Sequence, residues 1–233
     1  MGELDEEQIK SVLRYPVLMV SLWVNQRDGL NEWLDKGREG ILEMATATGK
    51  TVAGIAAIAH LCGELPDHSQ HQPQTDDADI LVVAHSNAIL SQWKRELSEK
   101  LGLPHGVLHG DAQPNDLHFS TGTVQFQTVH SLLPHYDPDL KSHYDLVIVD
   151  EVHHYSNEEG FGQAVKRPNY DAVLGLSATI GDDENDPLRK TIQNIVAPIV
   201  YTFDLEDAVE WEIIPDFEWK VHPTPLDPDE REE

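Results

Sequence analysis

Short apolar runs alternate along most of this chain with longer stretches whose apolar residues recur at helical spacing. Residues 40–44 (GILEM), 80–84 (ILVVA), 106–108, 123–126, 146–149 (LVIV), 172–176 and 199–201 read as strands. Several are nearly continuous in Val, Ile and Leu, as strands covered on both faces must be. Residues 52–65 form an Ala- and Ile-rich helix, and 88–101 a second one with Ile89, Leu90, Trp93, Leu97 and Leu101 on one face. Such alternation predicts an α/β domain with a mostly parallel central sheet and helices on both faces. The expected organisation is a polar helical lead-in over 1–14, one domain over 15–222, and an acidic, Pro-rich tail or linker over 223–233. Residues 66–79 (PDHSQHQPQTDDAD) have no periodicity and read as a loop.

Composition agrees with a packed domain, since 39% of the 233 residues are hydrophobic. Charge changes the picture more. With 42 Asp plus Glu against 16 Lys plus Arg, the net charge is −26, where a protein held to phosphates by charge normally carries a basic footprint. The acids are spread along the chain, as at Asp76, Asp77 and Asp79 and again at Asp182, Asp183, Glu184 and Asp186, rather than gathered in one tail. In molar salt the Debye length falls to ~3 Å, so we read this pattern as a halophile's adaptation to a salty cytoplasm, with which plainly solvated acidic faces are compatible. Net charge therefore leaves the partner open. A single Cys62 excludes a disulfide scaffold and a cysteine-based zinc site, and no disulfide partner is expected. The acidic start MGELDEEQIK and the lack of a long apolar run point to the cytoplasm and to no membrane partner.

Candidate chemistry begins at Ala45-Thr46-Ala47-Thr48-Gly49-Lys50-Thr51, between a strand and a helix. A turn there aims backbone N–H groups and the positive end of a helix dipole at a phosphate chain. Lys50 would reach the β and γ phosphates, and the Thr51 hydroxyl would ligate Mg²⁺. The full GxxxxGKT pattern is broken at its first position by Met44, and Ala47 stands where a flexible Gly is frequent. The second element is YDLVIVDEVHH over 144–154, a buried strand delivering Asp150 and Glu151 at its C-terminal end, where ligands of open α/β sheets sit. Asp150 can hold Mg²⁺ and Glu151 can orient and polarise an attacking water. His153 and His154 lack the HExxH spacing of a zinc helix.

ATATGKT, DEVHH and Ser177-Ala178-Thr179 together resemble motifs I, II and III of superfamily 2 helicases and translocases of the DExH type. The likeness is strongest to the branch of nucleotide-excision-repair helicases and type III restriction motors. It runs from 15 to 219 and covers the first of that family's two RecA-like domains; motifs IV to VI are not in this chain. Leu22-Trp23-Val24-Asn25-Gln26 sits where the branch carries LRxYQ, which makes Gln26 the candidate adenine reader, with Trp23 in place of the usual Arg. Val83-Ala84-His85-Ser86 followed by Gln92-Trp93 resembles motif Ia, with His85 in place of a customary Pro. His109-Gly110 and the run 127–132 (QTVHSL) resemble the nucleic-acid-contacting segment and motif Ib.

The resemblance implies a RecA-like P-loop NTPase fold with ATP and Mg²⁺ as cofactors. Residues 46–51 would cradle the nucleotide with Lys50 on its phosphates, Thr51 and Asp150 would hold Mg²⁺, and Glu151 would act as the base, so that Glu151, Lys50 and Asp150 form the catalytic set. His153, Ser177 and Thr179 would couple nucleotide state to strand binding, and His85, Ser86, Thr128 and His130 would contact a nucleic-acid backbone, DNA before RNA. Uncharged donors suit high salt, where ion pairs lose their counterion-release advantage. A facing second RecA-like domain, in cis or in trans, would supply the arginine that completes the site. Two alternatives stay open: a double-strand translocase serving a nuclease, and a nucleotide-responsive binding module or remnant without ATPase activity of its own.

Overall fold

The computed structural model describes residues 16–65, 73–75, 77–102, 116–119, 121–136, 140–181 and 183–215. Its strands are β1 (Val17–Leu18), β2 (Glu39–Met44), β3 (Ala78–Ala84), β4 (Leu101–Gly102), β5 (Asp116–Phe119), β6 (Gly122–Thr128), β7 (Leu146–Asp150), β8 (Val173–Ser177) and β9 (Ile199–Phe203). Seven of them form one sheet in the order β5-β6-β3-β7-β8-β2-β9. Every pairing in it is parallel except that of β5 with β6. Six strands therefore point their C-terminal ends to the same edge.

The helices are α1 (Val24–Asp35), α2 (Lys50–Cys62), α3 (Asn87–Lys100), α4 (Phe161–Val165), α5 (Pro187–Ile195) and α6 (Leu205–Glu210), with 3₁₀ turns at Val129–Leu132 and Val152–Tyr155. Side chains alternate across each strand, so the sheet feeds two cores. Leu42, Ile80, Val82, Ile148 and Leu174 face one way, against Leu30 and Trp33 of α1, Ile55 and Ile58 of α2, and Trp93 and Leu97 of α3. Ile41, Leu81, Val83, Val147 and Val173 face the other way, against Val129, Tyr155, Ala164 of α4 and Ile192 of α5. The expected α/β architecture is the one found.

The differences lie at boundaries and in polar elements. Helix α2 begins at Lys50 and stops at Cys62, not 65, because Gly63 takes an extended conformation. A Cβ at position 63 would lie 2.5 Å from the Pro16 carbonyl oxygen, so only glycine lets the chain turn onto the segment that carries β1. Strand β3 begins at Ala78, inside the expected loop, because its first residues pair with Gly122 and Thr123 of β6. Helix α1 is not marked by apolar periodicity, since its buried face includes Asn25, Gln26 and Gly29 beside Leu30 and Trp33. The expected lead-in over 1–14, the strand at 106–108 and the tail over 223–233 lie outside the described residues. Among the described residues no helix is long and apolar enough to cross a membrane.

Candidate functional site

The turn between β2 and α2 is held open by its backbone. Gly49, at the N-cap of α2, has φ +82°, and a Cβ there would fall 2.1 Å from Gln26 Nε2. Any other residue would be strained at that φ and would displace the Gln26 amide. The Thr48 hydroxyl donates to the Ala45 carbonyl at 2.6 Å, closing the turn from within. Asn25 Nδ2 and Gln26 Nε2 both donate to the Thr48 carbonyl, at 3.0 and 3.2 Å, which ties α1 to the turn. The first N–H groups of α2 have no helical partner by geometry and lie at the cavity that the turn borders.

That cavity encloses about 340 Å³ and is lined by Ala47, Gly49, Lys50 and Thr51, by Trp93 and Glu96 of α3, and by Asp150 and Glu151. Thr46 and Ala47 are exposed and Thr48 is buried, so the cradle residues share one turn without sharing one environment. Lys50 Nζ donates to the Met44 carbonyl at 3.1 Å. Burial pulls the Lys50 ammonium below its ordinary pKa, and the neighbouring Glu151 and Asp150 carboxylates oppose this. Burial likewise pushes Asp150 above the usual carboxylate range, countered by the hydrogen bond from Trp93. Trp93 Nε1 donates to Asp150 Oδ2 at 2.7 Å, and the Glu151 amide donates to Asp150 Oδ1 at 3.0 Å.

Glu151 turns the chain at φ +52°, and its Oε2 is buried without a hydrogen-bond partner. His153 Nδ1 stands 3.3 Å from that oxygen and 2.9 Å from Ser177 Oγ. The Ser177 hydroxyl in turn donates to the Thr179 carbonyl at 3.4 Å. One tautomer satisfies the chain, with Nδ1–H donating to Ser177. The three residues expected to couple are thus joined.

The four expected backbone contacts lie beyond β3 and β6 on the same edge. Ser86 Oγ accepts from the Ile89 amide at 3.4 Å and caps α3; Thr128 Oγ1 accepts from the Ser131 amide at 3.4 Å and caps a 3₁₀ turn. Each hydroxyl keeps its own proton to donate. The exposed His130 packs edge-on against Phe161 at 4.7 Å. His85 packs against His154, with ring centroids 4.3 Å apart, and its Nδ1 is buried without a partner.

Gln26 is more engaged than its expected role suggests. It is 2% exposed, and its Oε1 accepts from the Trp23 amide at 3.0 Å while Nε2 serves Thr48. One N–H and one lone pair remain for a base.

Sequence reasoning missed Glu43. It is buried on β2 one residue before Met44, and its carboxylate meets Arg189 of α5 through two contacts of 2.7 and 2.9 Å. The same carboxylate accepts the Ile180 amide at 2.8 Å, just past Thr179. The signal was an acid inside an otherwise apolar strand.

Ala47 offers a direct test of the turn's strain. Its φ is +65°, a left-handed conformation that costs an L-residue roughly 1–2 kcal/mol. Ala47→Gly should relieve most of that, raising Tm by about 2–4 °C for each kcal/mol recovered, as calorimetry would measure. An unchanged or lower Tm would show the turn to be unstrained.

The donor set fits a metal-bound nucleotide. Lys50 and the α2 N-terminus offer positive potential to phosphates. The Thr51 hydroxyl and Asp150 carboxylate are the type of ligand Mg²⁺ takes when phosphates complete its shell. Among the described residues no three or more His, Cys, Asp or Glu side chains are placed to cage a metal.

The family described as type III restriction enzyme, res subunit, matches residues 11–182. The SWI2/SNF2 ATPase core of Sulfolobus solfataricus, solved with dsDNA, superposes with a TM-score of 0.56 at 20% identity, over 80% of this chain and 37% of that one. The HK97 bacteriophage large terminase gives 0.55 at 14% identity, over 83% of this chain and 42% of its own. The type ISP restriction-modification enzyme LlaGI, a nuclease-deletion mutant with a DNA substrate mimic, gives 0.52 at 15%, over 83% of this chain and 21% of its own. This chain thus spans less than half the length of each of these solved proteins. No curated protein matches it. A RecA-like α/β fold and a family match over residues 11–182 together place the chain in the type III restriction enzyme res-subunit family.

Proposed function

We propose that this chain, as a domain spanning 15–222, is the ATP-binding half of a DNA-dependent helicase or translocase and needs a facing RecA-like domain for full hydrolysis. The observation that carries this is the convergence of Lys50, Thr51, Asp150 and Glu151, from two segments about 100 residues apart, on one cavity at the C-terminal edge of the sheet. Lys50 and residues 46–49 hold the phosphates, Thr51 and Asp150 hold Mg²⁺, Glu151 orients the attacking water, and Gln26 meets the adenine. A bound Mg²⁺ would neutralise charge on the transferring phosphoryl group. His153, Ser177 and Thr179 carry the nucleotide's state toward the strand, which His85, Ser86, Thr128 and His130 contact through uncharged donors. The acidic surface fits work in concentrated salt.

A double-strand translocase serving a nuclease is the second reading. It is favoured by the restriction-enzyme family and by likeness to a fold solved with dsDNA.

Titration calorimetry with ADP in high potassium chloride tests the site. Wild type should bind more tightly with Mg²⁺ than without, Lys50→Ala should lose binding, and Asp150→Ala should lose only the Mg²⁺ dependence. Equal affinity in wild type and Lys50→Ala would end the phosphate-turn assignment.

A further inference from the structure

Trp93 is donated to the cavity by α3, 57 residues before the acid it touches. Its ring is 1% exposed. A core position needs only volume, and phenylalanine or leucine would supply it. Tryptophan also brings an N–H that must find a partner when buried, and here that partner is Asp150.

The ring is held from its far side as well. A Cβ on Gly54, in the middle of α2, would lie 2.5 Å from Trp93 Cη2 and 3.3 Å from Leu176 Cδ1. Glycine in a helix interior costs about 0.5–1 kcal/mol relative to alanine, and its use here opens the space into which the indole fits. The indole is thus wedged between the backbone of α2 and the end of β7, N–H toward the carboxylate. Trp93 on Oδ2 and the Glu151 amide on Oδ1 hold the Asp150 carboxylate at both oxygens. Together they stop it rotating, and each oxygen keeps a further lone pair for the cavity.

We propose that Trp93 is a positioning residue that fixes the Asp150 carboxylate in the orientation required to hold the cation of a metal–nucleotide. This rests on reading the cavity as a Mg²⁺–nucleotide site. Partners that orient a metal ligand typically change metal affinity 10- to 100-fold when removed.

The test is Trp93→Phe, which keeps a ring against Gly54 and deletes the donor. ADP binding is followed by calorimetry across a Mg²⁺ titration and in EDTA. The Mg²⁺ midpoint should move at least tenfold higher while affinity in EDTA stays within twofold of wild type. The ¹⁵N spectrum gives a second readout. The Trp93 indole N–H signal, identified by its loss in Trp93→Phe, should shift when Mg²⁺ joins bound ADP and stay in place when ADP binds in EDTA. Gly54→Ala keeps the indole but displaces it, and should move the Mg²⁺ midpoint in the same direction; it decides the matter if Trp93→Phe does not fold. An unchanged Mg²⁺ midpoint in a folded variant, or equal weakening with and without Mg²⁺, overturns the positioning role alone. A wild-type protein whose ADP affinity ignores Mg²⁺ overturns the site reading and this inference with it.

Discussion

Adding a second RecA-like domain that carries motifs IV to VI is expected to raise ATP turnover by this chain about 10³- to 10⁵-fold, the range in which a facing arginine acts in nucleotide hydrolysis. Among the described residues no arginine lines the cavity, and three are engaged elsewhere. Arg189 is held by Glu43, Arg167 donates to the carbonyls of Leu132, Leu133 and Tyr136, and Arg38 meets Gln74. Without a guanidinium over the γ-phosphate, Lys50 and the α2 N-terminus must carry the transition-state charge alone. Turnover by the chain alone should be slow and insensitive to added DNA. Glu151→Gln should abolish the rise while sparing ADP binding, because it removes the water-orienting carboxylate and leaves the phosphate turn intact. A steady-state ATPase assay with and without the second domain measures this. Vigorous, DNA-stimulated turnover by the chain alone would refute the half-site view.

Glu43→Ala should destabilise the fold by about 3–5 kcal/mol, since it leaves the Arg189 charge poorly solvated and unpaired. Tm should fall on the order of 10 °C. The carboxylate also accepts the Ile180 amide, so the segment after Ser177 and Thr179 loses its anchor to β2. Removing both charges, as Glu43→Met with Arg189→Met, should recover much of the stability, because a buried pair replaced by apolar groups of similar volume is often neutral. The anchor to Ile180 stays lost in that double variant. Thermal unfolding of the three proteins separates the two effects; a single variant as stable as wild type would show the pair to be solvated.

Much of this molecule was legible before its structure. Strands β3, β7 and β8 were marked by runs such as ILVVA and LVIV, because a strand covered on both faces has few polar positions to confuse the pattern; β2, β6 and β9 were marked by shorter apolar runs. That the 45–51 turn and the Asp150–Glu151 pair stand at strand ends was legible for a related reason. Each depends on local backbone geometry at a strand end, so its residue types stay together in the chain. Helix α1 was not legible, since Asn25 and Gln26 face inward to serve the Thr48 carbonyl and erase the apolar stripe. Nor did spacing reveal why Trp93 sits on α3, why α2 carries Gly54, or why Glu43 interrupts an apolar strand. The partners of those three residues come from elsewhere in the chain, at Asp150, at the Trp93 ring, and at Arg189 and Ile180. Periodicity reports which face of an element is buried; which distant donor meets which acceptor is decided when the elements pack.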